Sequence, residues 1–319
     1  MGGYATSNTN QAVAIIRVNH ETTDYNYVYY YLSQKSVQQY VRNLNAQSAQ
    51  PNVNLQQIGD IELSIPIDKE NQLLVSTILS SYDDKIENNI KYIDTLKCYI
   101  TALYQSWFAD FNYPDATGEM IDGIPIGWTK SSVFDNVTEV REKNRDDLDY
   151  PVLSVVKEGE FKLSDDVFTK QVYSKNLNNY KIVRRNQVGY NPARANIGSI
   201  AMLTDFDIGL VSPVYVVFEI KDTITPTFFY YYMYQPMFAE GIKHHAIGTT
   251  RQNFPFEAFK MFPMIIPPME LQKRFEEIAK PIEQKIANLK EENAVLAEIR
   301  DTLLPKLMSG ELPVEVGEA

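Results

Sequence analysis

The residues of this chain that are best suited to contact a ligand are concentrated between positions 173 and 196, where cations, amides and phenols alternate. Lysine and arginine neutralise phosphates, and the arginine guanidinium can bind both acceptor atoms on the edge of a guanine. Asparagine carries an amide of the kind that pairs with adenine, and tyrosine offers a ring for stacking. This composition favours a nucleic-acid contact. The candidate residues are Tyr173, Lys175, Lys181, Arg184, Arg185, Tyr190, Asn191, Arg194 and Asn196.

A second polar stretch lies in a loop predicted over residues 241–253. Its side chains are of the same hydrogen-bonding kind, and the N-terminal part of the chain carries Gln50, Asn52 and Asn54 at the matching place of an internal repeat described below. For both stretches the alternative is a solvated loop face that binds nothing. The candidates in the second stretch are Thr249, Thr250, Arg251 and Gln252.

The charge of the chain is unevenly distributed. The net charge is −11, but residues 124–268 contain 16 basic and 16 acidic side chains, so the acidic surplus lies in the flanking parts. Within the neutral block, residues 167–204 carry six cations and no acid. A local basic face matters more for DNA than the sum over the chain, so the net charge does not exclude a nucleic-acid partner.

Catalysis is the competing interpretation of the polar residues. Glu160 and Lys162 fit one half of a nuclease site, for which Asp147 or Asp149 would supply a further metal-binding acid. Such combinations occur by chance in most charged loops, and the three histidines are not spaced as ligands of one metal ion. We therefore predict a protein without catalytic residues, metal or cofactor, and keep a nuclease as an alternative.

Two long heptad patterns are the elements that must position these residues. Apolar side chains recurring every seven residues indicate a helix that buries one narrow stripe against a partner helix. The alternative is a helix buried in an ordinary core. Because a segment of domain length separates the two patterns, we predict an intramolecular antiparallel pair of spacer helices. The heptad positions are Leu79, Ile86, Ile93, Ile100 and Trp107, then Phe275, Ile282, Leu289, Leu296 and Leu303, with Ile90 and Ile299 in the adjoining seam.

An internal repeat extends beyond the helices. Shifted by about 201 residues, the helix cap Asp24 falls on the cap Thr225, and the apolar run 12–18 falls on the strand predicted at 214–220. Nothing near the N-terminus matches residues 124–200, so we expect the first domain to lack its N-terminal half. The predicted division is 1–68, part of a first recognition domain; 69–110, a first spacer helix; 111–123, a linker; 124–268, a complete recognition domain; 269–310, a second spacer helix; and 311–319, a tail.

Composition limits the remaining possibilities. The chain has 319 residues, 44% hydrophobic and 22% charged, which suggests about two domains. No apolar run approaches the roughly 18 residues of a membrane span, and the N-terminus lacks the pattern of a signal peptide. The single cysteine, Cys98, lies in the first heptad helix, where we expect a packed side chain. These features predict a cytoplasmic protein without disulfides or membrane association.

Four stretches carry a resemblance to a known family. They are IPIGW at 124–128, YKIVRRNQVGYNPARANIGSIAML at 180–203, VSPVYVVFEI at 211–220 and the long C-terminal helix at 270–312. In this order, and with two spacer helices, the chain resembles the specificity subunit of type I restriction-modification systems. The resemblance implies an α+β fold in which recognition domains of mixed sheet and helices are joined by a long antiparallel two-helix coiled coil.

The resemblance also implies a function and partners. It implies that the chain reads a bipartite site on double-stranded DNA and directs adenine methylation and restriction there. The chemistry is implied to belong to modification (methyltransferase) subunits and a restriction (translocase and nuclease) subunit that assemble on the chain. From the residues alone, a protein-binding scaffold or adaptor without DNA affinity stays open as a further alternative.

Overall fold

The computed structural model describes residues 13–44, 53–167, 174, 176–246 and 253–314. The chain forms two compact units: unit 1 comprises Met1–Thr95 with Lys285–Ala319, and unit 2 comprises Leu96–Gln284. The helices are α1 (Tyr25–Ser33), α2 (Lys35–Asn43), α3 (Leu55–Gly59), α4 (Lys69–Tyr104), α5 (Ser164–Val167), α6 (Pro226–Met233), α7 (Pro236–His245) and α8 (Met269–Ser309). The long helices α4 and α8 contribute to both units.

All strands of the described residues lie in unit 2, together with three 3₁₀ helices at Phe134–Asn136, Ala195–Ile197 and Phe256–Met261. The strands are β1 (Met120–Ile121), β2 (Ile124–Pro125), β3 (Thr129–Ser132), β4 (Val137–Val140), β5 (Leu153–Val155), β6 (Phe161–Leu163), β7 (Lys181–Arg184), β8 (Val188–Tyr190), β9 (Ile200–Met202), β10 (Ile208–Val211), β11 (Val216–Ile220) and β12 (Pro263–Ile266). This mixture of helix and sheet confirms the predicted α+β class.

Unit 1 is held together by a glutamine that joins three segments. The Gln72 side chain accepts a hydrogen bond from the Asp24 backbone N–H at 2.9 Å and donates one to the Pro66 carbonyl at 2.6 Å. Asp24 in turn caps α1, because its carboxylate accepts from the Tyr27 N–H at 2.8 Å. Such a cap satisfies one of the backbone donors that a helix leaves open at its start. We call this arrangement the glutamine clamp of unit 1.

The parts of α4 and α8 that belong to unit 1 run antiparallel. Asn89 donates to Asn293 at 2.9 Å, whereas Asp83, which precedes Asn89 on α4, pairs with Arg300, which follows Asn293 on α8. Asn89 is buried, and a polar side chain in a helical seam fixes the register of the two helices. The apolar layer beside it contains Leu79, Leu304 and Leu307 with Tyr27 and Tyr30 of α1.

Unit 2 is built on a four-stranded antiparallel sheet in the order β4-β11-β8-β9. β11 is a central strand: Val217 pairs with Val140 of β4 on one side and with Gly189 of β8 on the other. Shorter antiparallel pairs, β1-β2, β3-β12, β5-β6 and β7-β10, surround it. Val217 and Phe218 of β11, whose side chains point to opposite faces of the sheet, are both fully buried, so both faces are covered there.

The core of unit 2 is aromatic. Phe275 of α8 is fully buried and packs edge to face against Tyr104, Trp107 and Phe108 at the end of α4, with ring centroids 5.2 to 6.0 Å apart. Trp107 and Phe108 lie in a π-helical turn, Gln105–Ala109, that follows α4. Aromatic pairs of this geometry add to the stabilisation from burial alone, so this cluster joins the two helices firmly within unit 2.

The predicted repeat is visible in the second glutamine clamp, which belongs to unit 2. Gln272 is fully buried, accepts from the Thr225 N–H at 2.8 Å and donates to the Pro267 carbonyl at 2.9 Å. Thr225 caps α6 by accepting from the Phe228 N–H at 3.1 Å, and Pro226 occupies the first turn. Each bond has its counterpart in unit 1 about 201 residues earlier, which confirms both predicted caps.

Several local predictions were wrong. The apolar run 12–18, expected to be a strand like its repeat partner, forms no strand over its described residues 13–18, because the strands that flank β11 in unit 2 have no counterpart among the described residues of unit 1. Ile90 and Ile299 were predicted in the buried seam between the helices but are 48% and 39% exposed. Asn89 occupies the buried position of the seam instead. Cys98 is exposed and not packed. Residues 241–245, predicted as loop, complete α7. None of the helices in the described part of the chain has the length and hydropathy of a membrane span.

Candidate nucleic-acid interface

The loop of residues 191–199 follows β8 and has a tightly bonded backbone. The Asn191 side chain accepts from the Ala193 N–H at 3.0 Å, and the Asn191 carbonyl accepts from the Arg194 N–H at 2.9 Å. The Arg194 carbonyl accepts from the Ser199 N–H at 3.1 Å and so closes the loop. Asparagine suits this position because its short amide can replace a backbone acceptor in a turn.

Contacts to its neighbours fix the loop in place. Gly198 has a φ of +98°, and a Cβ atom there would lie 2.4 Å from the Lys157 carbonyl oxygen, so only glycine fits. The Ser199 hydroxyl donates to the Val155 carbonyl at 3.1 Å, and the Phe254 N–H donates to the Pro192 carbonyl at 2.9 Å. The loop is therefore attached both to the β5-β6 hairpin and to the segment that follows α7.

Arg194 is the side chain that this loop presents. It is exposed and stands at the start of the 3₁₀ helix Ala195–Ile197, and its guanidinium has no hydrogen-bond or ion-pair partner in the part of the chain that the structure describes. A guanidinium carries five N–H donors in a planar fork that matches phosphate and the guanine edge. An exposed, unpaired arginine on a rigid loop is thus well placed to bind an anionic or base-edge acceptor.

A cleft of ≈ 490 Å³ adjoins the loop. One side is the β5-β6 hairpin, where Lys157 pairs with Glu158 at 3.7 Å, and the other is the loop with Asn191 and Arg194. The sequence interpretation missed Lys157, because its position in a hairpin turn gives no pattern that links it to residue 194. The glycine in the sequence NIGS, Gly198, was the one local sign in the sequence that the loop 191–199 approaches the β5-β6 hairpin closely.

Arg184 and Arg185 lie at the end of β7, and both are engaged in surface ion pairs. Arg184 pairs with Glu142 at 2.8 Å and Arg185 with Asp207 at 2.8 Å. Two of the three arginines in the basic run are therefore paired with acids from neighbouring segments. Exposed pairs of this kind contribute at most about 1 kcal/mol, so a phosphate can replace the carboxylate at small cost.

Lys181 and Tyr190 do not present the groups that the sequence assigned to DNA. Lys181 is partly buried and donates to the Tyr215 carbonyl, and burial lowers the pKa of its ammonium group. Tyr190 is fully buried in β8 among Phe218, Phe254 and Phe259, so its ring cannot stack on a base. This burial also raises the pKa of its phenol. The prediction for Tyr190 is corrected: it is a core residue.

The remaining candidates for contact with nucleic acid are either partly buried or outside the described residues. Asn196 is partly buried and already has an interaction partner. The rest lie outside the described residues: Tyr173, Lys175, Thr249, Thr250, Arg251 and Gln252. Of the seven described candidates, the structure brings Asn191, Arg194 and Asn196 together in one loop. It places Lys181 and Arg184 at opposite ends of β7.

Over the described residues, no group of three His, Cys, Asp or Glu side chains has an arrangement that could hold a metal ion. Glu160 lies in the β5-β6 hairpin, where its backbone carbonyl accepts from the Val156 N–H at 3.0 Å, and Lys162 is an exposed residue of β6. The pair is therefore set on a surface hairpin.

Comparisons with known proteins give one family. The model of the type I restriction modification DNA specificity domain matches residues 2–97 and 136–298. The specificity subunit of the type I restriction enzyme MjaIX of Methanocaldococcus jannaschii is 27% identical over 311 residues, which cover 91% of this chain and 69% of that protein. The HindI specificity subunit of Haemophilus influenzae is 24% identical over 341 residues, covering 82% and 71%.

Solved structures agree with the sequence comparisons at the level of the fold. The crystal structure of the type I restriction-modification S subunit from M. genitalium superposes with a TM-score of 0.56 at 17% identity, over 91% of this chain and 74% of that one. At this identity the likeness shows the fold alone. The family model, in contrast, matches well over half of the residues, in both halves of the internal repeat. The chain therefore belongs to the family of type I restriction-modification DNA specificity subunits.

Proposed function

We propose that this chain reads DNA sequence for a type I restriction-modification complex and has no catalytic activity of its own. The observation that carries the proposal is the family match over residues 2–97 and 136–298, which include the rigid loop 191–199. Modification subunits would methylate adenine, and a restriction subunit would cleave DNA, at the site that the chain selects. The relatives bear the name of specificity subunits, which supports this division of labour.

Within this proposal, residues 124–268 form a complete recognition domain and residues 1–68 belong to another. Residues 69–110 and 269–310 act as the spacers, and residues 111–123 and 311–319 as linker and tail. Arg194 is proposed as the principal reader, because its guanidinium is unpaired while those of Arg184 and Arg185 are paired to carboxylates. Asn191 holds the loop through its own side-chain bond and acts as a positioning residue.

The contacts outside the loop are proposed to be of the phosphate type. Arg184 and Arg185 would exchange Glu142 and Asp207 for DNA phosphates, and Lys157 would add a further cation at the cleft. Phosphate contacts set the position of a protein on the duplex, whereas contacts to base edges set its specificity. Replacing Arg194 should therefore change sequence preference, and replacing Arg184 should weaken binding to all sequences alike.

The test is selection from a randomised duplex library by the purified chain together with its modification subunits. We expect one bipartite motif to be enriched, and we expect affinity to fall steeply as salt rises, because bound phosphates release counterions. In Arg194→Ala, one base position of the motif should be relaxed at a cost of about 1–3 kcal/mol. A matched control is Arg274→Ala, which removes an exposed, ion-paired arginine of α8 and should leave the motif unchanged.

Two results would overturn the proposal. Binding that is indifferent to salt, with no motif enriched, would favour a protein-binding adaptor. Cleavage of plasmid DNA by the purified chain with Mg²⁺, abolished by Glu160→Ala, would show that the chain is a nuclease.

A further inference from the structure

Ile197 is a large apolar side chain on the outside of the rigid loop 191–199. It is 63% exposed, although the backbone of this loop is attached to the β5-β6 hairpin and to the segment that follows α7. A single exposed apolar residue is common and needs no explanation. Ile197 differs because its loop is held in one conformation, so little conformational entropy would be lost when a ligand contacts it.

Ile197 stands next to the exposed Arg194. The Ile197 N–H donates to the Arg194 carbonyl at 3.1 Å, which closes one turn of the 3₁₀ helix. Side chains three residues apart in such a turn lie one above the other. Both of these side chains also line the cleft of ≈ 490 Å³. A molecule that the guanidinium binds would therefore meet an apolar side chain beside it.

The lining of the cleft adds a second apolar side chain and several polar groups that already bond within the protein. Val214 lines the cleft and is 62% exposed. The Ser154 and Ser164 hydroxyls hydrogen-bond to each other at 2.9 Å. The Tyr215 hydroxyl accepts from the Val155 N–H at 3.1 Å. These bonds favour a ligand that combines an acceptor for the guanidinium with an apolar group over a ligand rich in hydrogen-bonding groups.

The major groove of DNA presents this combination. Guanine offers the acceptors N7 and O6, which match the fork of an arginine, and thymine offers its C5-methyl group, which is apolar. Where a guanine and a thymine belong to neighbouring base pairs, the acceptors and the methyl group lie side by side in the same groove. Cytosine presents an amino group instead of an acceptor and a methyl group, and against an apolar surface that donor would be left unpaired.

We propose that Ile197 is a specificity-determining residue that contacts the C5-methyl group of a thymine in the major groove. The thymine lies beside the base pair that Arg194 reads, and Val214 completes the apolar surface around the methyl group. The contact removes the methyl group from water, which favours binding. This inference rests on the proposed function in DNA reading and adds to it the base that the cleft selects.

Other contacts of Ile197 would behave differently. An apolar side chain wedged between base pairs unstacks them, so its loss would weaken binding to duplexes with and without the methyl group alike. A side chain packed against a modification subunit would, when lost, weaken assembly of the complex. The cation in the same turn favours the anionic duplex over an apolar protein surface, because such a surface would bury the guanidinium of Arg194 without a partner.

The test is binding to duplexes in which single thymines are replaced by deoxyuridine, which forms the same base pair and lacks only the methyl group. The duplex carries the motif selected by the chain with its modification subunits, and each thymine of the motif is replaced in turn. One replacement should weaken binding about fourfold, the effect expected for one buried methyl group. The Ile197→Ala variant should bind both duplexes equally at that position, with the salt dependence that reports phosphate contacts unchanged.

The matched control is Ile121→Ala, because Ile121 is an isoleucine of β1 that is 58% exposed and does not line the cleft. This variant should keep the preference for thymine, and Ile197→Val, which keeps a branched apolar side chain, should retain part of it. A selected motif in which no deoxyuridine replacement weakens binding would overturn this inference and leave DNA reading intact. The same holds for an Ile197→Ala variant that keeps the full preference, that binds both duplexes equally more weakly, or that loses its modification subunits. Failure to select any motif would overturn both proposals.

Discussion

Units 1 and 2 share the same glutamine clamp, helix cap and long helices, here called the frame. Among the described residues, only the frame of unit 2 carries a sheet. In each, a buried glutamine, Gln72 or Gln272, bonds the N-cap residue that precedes a helix and a proline carbonyl. In unit 2 the strand before the cap, β11, is the centre of a sheet, whereas the equivalent segment of unit 1 is exposed and forms no strand. The difference teaches that the frame is determined locally, by caps and one side chain, whereas a central strand requires partners from elsewhere.

A second difference concerns electrostatics. Tyr30 donates to Asp83 in unit 1, and Tyr231 hydrogen-bonds to Glu283 at the equivalent place in unit 2. Asp83 is paired with Arg300, whereas the repeat places Ile100 where a matching cation would lie. Burial consequently raises the pKa of Glu283, and its hydrogen bond with Tyr231 lowers it less. Asp83 thus forms an ion pair with Arg300, whereas the cation that acts on Glu283, Lys280, offsets the effect of burial only in part.

The largest expected effect tests whether the two clamps are equivalent. Gln272→Ala and Gln72→Ala should each destabilise their own unit by about 2–3 kcal/mol, because each leaves a buried N–H and a buried or partly buried carbonyl unpaired. Both tryptophans, Trp107 and Trp128, belong to unit 2, so urea unfolding followed by tryptophan fluorescence reports that unit. Hydrogen exchange of α1 amides reports unit 1.

The control for the clamps is Gln39→Ala, which removes an exposed glutamine of α2 and should change stability by less than about 0.5 kcal/mol. Equivalence predicts that Gln272→Ala shifts the fluorescence transition and that Gln72→Ala increases exchange in α1. A Gln72→Ala variant as stable as the control would mean that unit 1 does not depend on its clamp.

A smaller effect sharpens the electrostatic difference. Since the pKa of Glu283 is raised in the folded state, protonation favours folding, and this stability is lost as pH rises above the ordinary carboxyl pKa. Glu283→Gln keeps an acceptor for Tyr231 and should raise the melting midpoint by about 1–2 °C at pH 7, with little change at pH 4. Thermal unfolding across this pH range measures it.

The matched variant in unit 1 should have the opposite sign. Asp83→Asn removes the carboxylate that pairs with Arg300, so it should destabilise the protein at pH 7 by about 1 kcal/mol. Stabilisation by both variants, or a gain in Glu283→Gln that does not depend on pH, would contradict the assignment of an incompletely compensated carboxylate to unit 2 alone.

Much of the frame could be predicted from the sequence, because helix caps and helix lengths are determined by local sequence patterns. The caps Asp24 and Thr225 follow from the preference of short polar side chains for helix starts, and the long helices follow from heptad spacing. The repeat, found as a shift of about 201 residues, anticipates the two clamps even though neither glutamine carries a pattern of its own.

The features that sequence reasoning missed depend on distant segments. The acid-free run 167–204 suggests a basic face, but Glu142 and Asp207 from other parts of the chain pair with two of its three arginines, Arg184 and Arg185. Tyr190 alternates with polar residues, yet both faces of its sheet are covered, so it is buried. Ile16 has the sequence of a strand and lacks the neighbours that would make it one.

The most direct test of DNA reading by this chain is methylation mapping in cells that carry its gene together with that of the modification subunit. The account predicts that a bipartite adenine-methylated motif appears only when the chain is present. It also predicts that Arg194→Ala alters one half of that motif, while Arg274→Ala leaves it unchanged. An identical set of methylated sites with and without the chain would contradict the central claim.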